Sequence, residues 1–340
     1  MLSDTIIRRI LLRADGNNST GLGHLYRLFA LMEVYKDAYK CSFLTSENST
    51  IEVIPEEYDV QLIPDSVGLK EEPKWLSNNY EPCEHIIVAD GYGFDSAYQK
   101  EVHDLGFRLV YIDDLCSEYM YADLVVNHAI GATKNQYSAQ PYTKFALGTD
   151  HAILRPEFLS AAANSRSVKK IERAFVCFGG ADPEDHTSMV VKALLNFSEI
   201  KEVEVVLGAA YKHEEVFDIA KTNNVHIHRN LSAVELVEVL ENCQLAVVPS
   251  STILYEVCAV KMPVITGYYV DNQKGIYEGF LSRNAVIGIG DMNNSDVTLL
   301  ENSVSQLLRE GDLQVFIHNQ ATIFDDKIKN RFLKWMRELS

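Results

Sequence analysis

The chain has 340 residues, 47% of them hydrophobic and 23% charged, with a formal net charge of −17. That length points to two domains, and the composition is that of a globular protein with ample apolar surface to bury. The acidic balance argues against a nucleic-acid or anionic-membrane surface, and no run of about 18 apolar residues offers a membrane span.

The first segment, MLSDTIIRRILLRAD, has Asp4 early, arginines within its apolar stretch and no small-residue cleavage site. It reads as a first β-strand over Ile6–Ala14 rather than a signal peptide, so a cytoplasmic location is expected. The six cysteines (Cys41, Cys83, Cys116, Cys177, Cys243, Cys258) are scattered without metal-ligand or C-x-x-C spacing. Reduced thiols are the expectation.

After the first strand, apolar periodicity predicts a helix over His24–Lys36, then strands at Cys41–Thr45 and His85–Asp90. A helix over Asp95–Leu105 and strands at Phe107–Asp113 and Ala122–Asn127 follow. Periodicity fades over Pro156–Glu172, which reads as a linker. A second series then begins: strand RAFVCF, a helix after Asp185, strand VEVVLG, a helix over Glu214–Thr222 and strand VHIHR. It continues with a helix over Ala233–Asn242, strand LAVVP, a helix from Thr252, strand PVIT and a final amphipathic helix over about Asp312–Leu339. Strands alternating with helices predict α/β architecture with parallel sheets. The expected organisation is two doubly wound, Rossmann-like domains facing a cleft: residues 1–155, carrying the His24 loop, and 156–340, binding a nucleotide. The terminal helix is a candidate to pack back on the N-terminal domain.

Such sheets bind ligands beyond the carboxyl ends of their strands, and there the unusual residues cluster. In RADGNNSTGLGHLYR, Gly21 and Gly23 match two positions of the dinucleotide fingerprint G-x-G-x-x-G, but Tyr26 occupies the third. Glu47 stands near the end of the second strand, where a ribose-binding acid would sit. No Walker A sequence follows. The loop instead delivers His24 to the first turn of a helix, where the positive end of the dipole favours a neutral imidazole able to act as a base. A polar helix-start residue without further role is the other reading of His24.

In the second series, Ser250, Ser251 and Thr252 lie between strand and helix, with Glu256 one turn in. Hydroxyls and backbone donors at a helix N-terminus suit a diphosphate, and Glu256 suits ribose hydroxyls. An ordinary N-cap with a solvated glutamate has the same pattern. Gly179 and Gly180 follow a strand directly and allow a ligand close to the backbone, while Asp182 and Thr187 can cap the next helix. Asp90, Asp113 and Asp114 end strands, but no acid or histidine stands near them at metal-ligand spacing, so no metal site is expected. Asn127 and His128 end another strand and offer either sugar contacts or a turn.

Taken in order, RAD…GLGHLYR, FGGADPEDHT, PSSTILYEVCAVKMPVI and DNQ resemble the UDP-2,4-diacetamido-2,4,6-trideoxy-β-L-altropyranose hydrolases of pseudaminic acid biosynthesis. These are relatives of GT-B glycosyltransferases such as the lipid II-forming N-acetylglucosaminyltransferase. The similarity spans roughly residues 6–285, including LGTDHAILRPEFL between the two domains. The resemblance implies a GT-B-like fold and cleavage of the bond between sugar C1 and the UDP oxygen, releasing UDP and a free amino sugar without an organic cofactor.

It also implies roles for individual residues. His24 matches the catalytic histidine that activates water, Ser250, Ser251 and Thr252 match the pyrophosphate loop, and Glu256 matches the ribose ligand. Asn272 and Gln273 match an N-Q pair near the substrate. Asp90 and Tyr92 fall where the family has D-x-Y, with Gly91 in place of a residue that is often larger. Gly21, Gly23, Arg27, Asn127 and Gly180 complete the candidate substrate contacts. The implied partner is a small-molecule UDP-sugar. A glycosyltransferase using the same base on an acceptor hydroxyl, a non-catalytic nucleotide-sugar binder and a GT-B-type epimerase are the competing functions.

Overall fold

The computed structural model describes residues 9–17, 21–294, 297–310 and 312–340. Ile6–Arg8 of the expected first strand and Asn18–Thr20 of the glycine-rich loop lie outside them. The chain divides into two compact units, one running to Pro156 and including Lys327–Ser340, the other comprising Glu157–Asp326.

In unit 1 the order is β1 (Arg9–Ala14), α1 (Gly23–Tyr35), β2 (Cys41–Ser46), β3 (Val60–Ile63), α2 (Glu72–Asn79), β4 (His85–Asp90), α3 (Ser96–Asp104) and β5 (Arg108–Ile112). The short strands β6 (Tyr119–Met120) and β8 (Ser138–Ala139) pair with each other, while β7 (Leu124–Asn127) and β9 (Lys144–Leu147) join the main sheet. That sheet is parallel and seven-stranded, ordered β3-β2-β1-β4-β5-β7-β9. Strand β4, HIIVAD, is buried along its whole length, as a central strand covered on both faces requires. One core joins Leu11, Leu44, Ile87, Leu109 and Val125 from strands to Leu76, Tyr98 and Val102 from helices.

The exit of β1 is anchored by charge. Arg13 is buried and donates to both oxygens of Glu72 on α2, at 2.7 and 2.8 Å. Tyr98 Oη donates to the same carboxylate at 2.7 Å. Asp15 accepts from Ser46 N at 2.8 Å, tying the start of the loop to the end of β2.

Unit 2 runs α4 (Pro156–Ala163), β10 (Arg173–Val176), α5 (His186–Leu195), β11 (Glu202–Leu207), α6 (Glu215–Ala220), β12 (Val225–Arg229) and α7 (Ala233–Asn242). It continues β13 (Leu245–Pro249), α8 (Thr252–Val260), β14 (Val264–Tyr268), α9 (Lys274–Ser282), β15 (Ile287–Asp291), α10 (Val297–Glu310) and α11 (Leu313–Ala321). Its parallel sheet has the order β12-β11-β10-β13-β14-β15. The strand order reverses between β10 and β13, as it does between β1 and β4 in unit 1. In open α/β sheets of this kind, such a reversal is where ligands bind, at the carboxyl ends of the two flanking strands.

Two expected elements are corrected. The first half of the 156–172 linker is helix α4, because proline suits the first helical position and the alanines that follow favour helix. The single terminal helix is two: α11 ends at Ala321, and α12 (Ile328–Leu339) starts after a break. Helix α12 belongs to unit 1, where Phe332 packs edge-on against Tyr35 and Trp335 Nε1 donates to His151 Nε2 at 3.1 Å.

Candidate functional site

In unit 1, Gly21 bends the chain out of β1 toward α1 at φ +81°, a conformation that favours glycine. Its N–H donates to Asn17 O at 2.8 Å, closing the loop just before the helix. Helix α1 then opens at Gly23 with no side-chain cap, so its positive end is left to its surroundings. Asp90 supplies the compensating charge from the end of β4, the neighbouring strand across the reversal.

Asp90 is fully buried, and both its oxygens are engaged. Oδ1 lies 2.7 Å from His24 Nδ1. Arg27, one turn along α1, donates Nε to Oδ2 at 2.8 Å and Nη2 to Oδ1 at 2.7 Å, a bidentate grip. Its Nη1 donates to Asp114 Oδ2 at 2.9 Å, beyond the end of β5. Burial works against the Arg27 charge, but Asp90 and then Asp114 outweigh it and hold its pKa above the ordinary arginine value.

A carboxylate only accepts, so the contact with Asp90 favours the tautomer in which the His24 nitrogen facing it carries the hydrogen, the form that presents Nε2 as an acceptor. Arg27 Nη2 also approaches Nδ1, at 2.9 Å, because both groups converge on the same carboxylate oxygen. Tyr92 stands edge-on to the imidazole with ring centroids 4.8 Å apart, and its hydroxyl reaches Asp114 at 3.4 Å. More than half exposed, Tyr92 is the outermost group of the cluster.

The other candidates of unit 1 brace the fold. Asn127 is buried, accepts from Ala129 N at 2.9 Å and donates to Tyr137 Oη at 2.8 Å. Tyr137 donates in turn to Asp113 at 2.9 Å, and Asp113 also accepts from Cys116 N. His128 accepts from Ile153 N at 3.1 Å through Nδ1. Burial, then the charge of Arg27, pushes its pKa down to about 4.

In unit 2, the turn after β13 separates its hydroxyls. Ser250 is buried, with N–H to Gly267 O at 2.8 Å and Oγ 3.0 Å from Thr266 Oγ1. It therefore holds the turn. Ser251 is the N-cap of α8 without a side-chain cap bond, and Thr252, the first helical residue, is exposed. The first-turn donors of α8 are thus the groups suited to an anion. Those of α5 are not: Asp182 accepts from His186 N at 3.0 Å and Thr187 N at 2.8 Å, and Asp185 accepts from Ser188 N at 3.2 Å.

The glycine loop after β10 rests on the strand exit next to it. A Cβ on Gly208 would lie 2.4 Å from Gly179 O and from Gly180 Cα, so only glycine permits this approach. Gly180 itself is exposed. Glu256 is buried on α8, near enough to Cys177 for its charge to add to burial in raising that thiol to about 11. Gln273 is buried and accepts from Tyr269 N at 3.1 Å, bracing the exit of β14, whereas Asn272 is exposed.

Unit 1 thus brings His24, Arg27, Asp90 and Tyr92 together. Sequence reasoning overlooked the tie from Asp114 to Arg27, although its signal, a second acid at a strand exit, was present. Unit 2 places Gly180 and the Ser250–Thr252 turn on the two strands flanking its reversal, while Asn272 and Gln273 follow β14.

No protein-family profile matches the chain. It is similar to an uncharacterized protein of Methanocaldococcus jannaschii, at 24% identity over 291 residues, 81% of this chain and 58% of that one. The chain therefore spans a little over half the length of that relative. It is also similar to the spore coat polysaccharide biosynthesis protein SpsG of Bacillus subtilis, at 21% identity and 90% coverage of each chain. Among solved structures it resembles Acinetobacter baumannii MurG, with a TM-score of 0.67 at 9% identity, covering 97% of this chain and 99% of that one. The calicheamicin glycosyltransferase CalG4 gives 0.66 at 12% identity over 98% of each. Anabaena HepE in complex with UDP gives 0.62 at 13% identity, over 97% of this chain and all of that one. Two α/β units with parallel sheets of seven and six strands match GT-B glycosyltransferase structures. No described helix is long and apolar enough to cross a membrane.

Proposed function

We propose that this chain is a nucleotide-sugar hydrolase that cleaves the C1–O bond of a UDP-linked diacetamido-trideoxy sugar, in the biosynthesis of a nonulosonic acid of the pseudaminic type. The observation that carries the reading is the 2.7 Å contact from Asp90 Oδ1 to His24 Nδ1, which leaves Nε2 of an incompletely buried imidazole as a base. Water attacks the anomeric carbon, its proton passes to Nε2, and the C1–O bond breaks with its electron pair leaving on UDP. Asp90 orients the imidazole and meets the positive charge it acquires, while Arg27 fixes Asp90.

The nucleotide falls to unit 2. Ser251, Thr252 and the first-turn N–H groups of α8 receive the diphosphate and stabilise the charge developing on it. Glu256 is assigned to the ribose, and Gly180 to close approach of the ligand. The UDP complex of a protein with the same fold supports a nucleotide here, and the polysaccharide role in the name of the Bacillus relative supports a sugar. Hydrolysis as written needs no organic cofactor.

A glycosyltransferase is the second reading, favoured by the glycosyltransferases that share the fold. The test is incubation with a UDP-diacetamido-trideoxyhexose without acceptor, followed by NMR. Free sugar and UDP are expected. A substrate that stays intact until an acceptor is added overturns hydrolysis in favour of transfer.

A further inference from the structure

Unit 2 carries a second polar cluster that the reaction above does not use. In β11 and β12 alternate residues face opposite sides of the sheet. Val203, Val205 and Leu207 enter the core of unit 2. Glu202 and Glu204 face the other way, as do His226 and His228, because Glu204 pairs in register with His226. One ligand atom each from Glu202, Glu204 and His226 falls within 4.8 Å of the others. His228 Nε2 stands 2.7 Å from Glu204 Oε2, and Arg173 pairs with Glu202 at 2.5 Å.

We infer that Glu202, Glu204 and His226 bind one divalent transition-metal cation of the zinc class at the open edge of the sheet. Carboxylate and imidazole together suit zinc, cobalt or nickel, whereas calcium and magnesium take oxygen ligands. Two carboxylates converge here, Glu202 with Arg173 against it and Glu204 with His228, and a cation between them would draw both together with His226. Glu204 is buried, which reduces competition from water, and His226 is exposed, which provides entry. His228 holds Glu204 in place as a positioning residue.

The consequence is mechanical. Strand β12 is the sheet's edge, and its one strand neighbour is β11. A cation bonded to side chains of both strands staples that edge. Glu202 starts β11 at its amino end, away from the carboxyl-end loops assigned to the nucleotide.

The test is competition between metal-free protein and a chromophoric chelator for zinc, paired with thermal melts. The wild type is expected to take one equivalent of zinc and to melt at a higher temperature with it. His226→Ala and Glu204→Gln are each expected to weaken binding by about 100-fold and to abolish the rise in melting temperature. Melts in chelator check that both variants fold, and His226 is exposed enough for its loss to be tolerated. A wild type that takes no zinc, or a folded His226→Ala with unchanged affinity, overturns the inference.

Discussion

Asp90 lies at the end of β4 and His24 in the first turn of α1, 66 residues apart, yet their side chains meet at 2.7 Å within the strand-order reversal of unit 1. Asp90→Asn tests what that contact does. One amide oxygen cannot serve the three donors that Asp90 now accepts, and the amide N–H2 faces a group that is itself a donor. The kcat of UDP-sugar hydrolysis is expected to fall by about 10²–10⁴ with secondary structure retained. A fall under tenfold in a folded variant removes Asp90 from the mechanism.

His24→Ala separates chemistry from binding. Loss of the base is expected to lower kcat by about 10²–10⁴ and to leave UDP affinity, measured by calorimetry, nearly unchanged. Equal losses in both quantities make His24 a binding or folding residue.

Gly208→Ala probes the glycine loop from the neighbouring strand exit, without substituting any residue assigned to the ligand. Its Cβ meets backbone at 2.4 Å, so the 179–180 segment must move. UDP affinity is expected to drop about tenfold, with a stability cost of about 1–3 kcal/mol. Unchanged affinity in a destabilised protein separates that loop from the nucleotide.

His128 gives stability a specific dependence on pH. Its folded pKa is about 4, below the ordinary 6.5, because burial penalises the charged ring. The unfolded chain therefore binds more protons between these values. The contribution is fully present above pH 6.5, declines as pH falls and is gone below about 4, up to about 3 kcal/mol in all. His128→Asn keeps an acceptor for Ile153 N and removes the titration. Denaturant unfolding of both proteins at pH 7 and pH 4.5 is expected to show a smaller pH loss in the variant, and equal losses contradict the assignment.

The strand-by-strand pattern made the two sheets legible, because short runs with an apolar centre such as HIIVAD and LAVVP, buried along their whole length, are what doubly covered parallel strands require. His24 was legible as a helix-start residue and Asp90 as a strand-exit residue, while Arg27 and Tyr92 entered through the resemblance. The bond from His24 to Asp90 was not legible, since it follows from strand order and not from spacing along the chain. Ser250 illustrates the opposite limit: its neighbours in sequence look equivalent, but backbone direction turns its hydroxyl inward to Thr266. The break between α11 and α12 was hidden because apolar spacing continues through it while the two helices serve different cores. The Glu202, Glu204 and His226 cluster escaped because its ligands come from two strands, alternating with core valines.

Helix α12 makes unit 2 an insertion within unit 1. Unit 2 is one continuous stretch of chain, whereas unit 1 is closed by a segment that follows unit 2 in sequence, with Phe332 set against Tyr35 and Met336 fully buried. During translation the usual amino-terminal-first order is inverted: the second unit has all its parts once residue 326 has emerged, while the first waits with an open core. A chain cut at the boundary between α11 and α12 keeps every part of unit 2 but lacks the helix that closes unit 1, so such a truncation is expected to expose the core of unit 1 first.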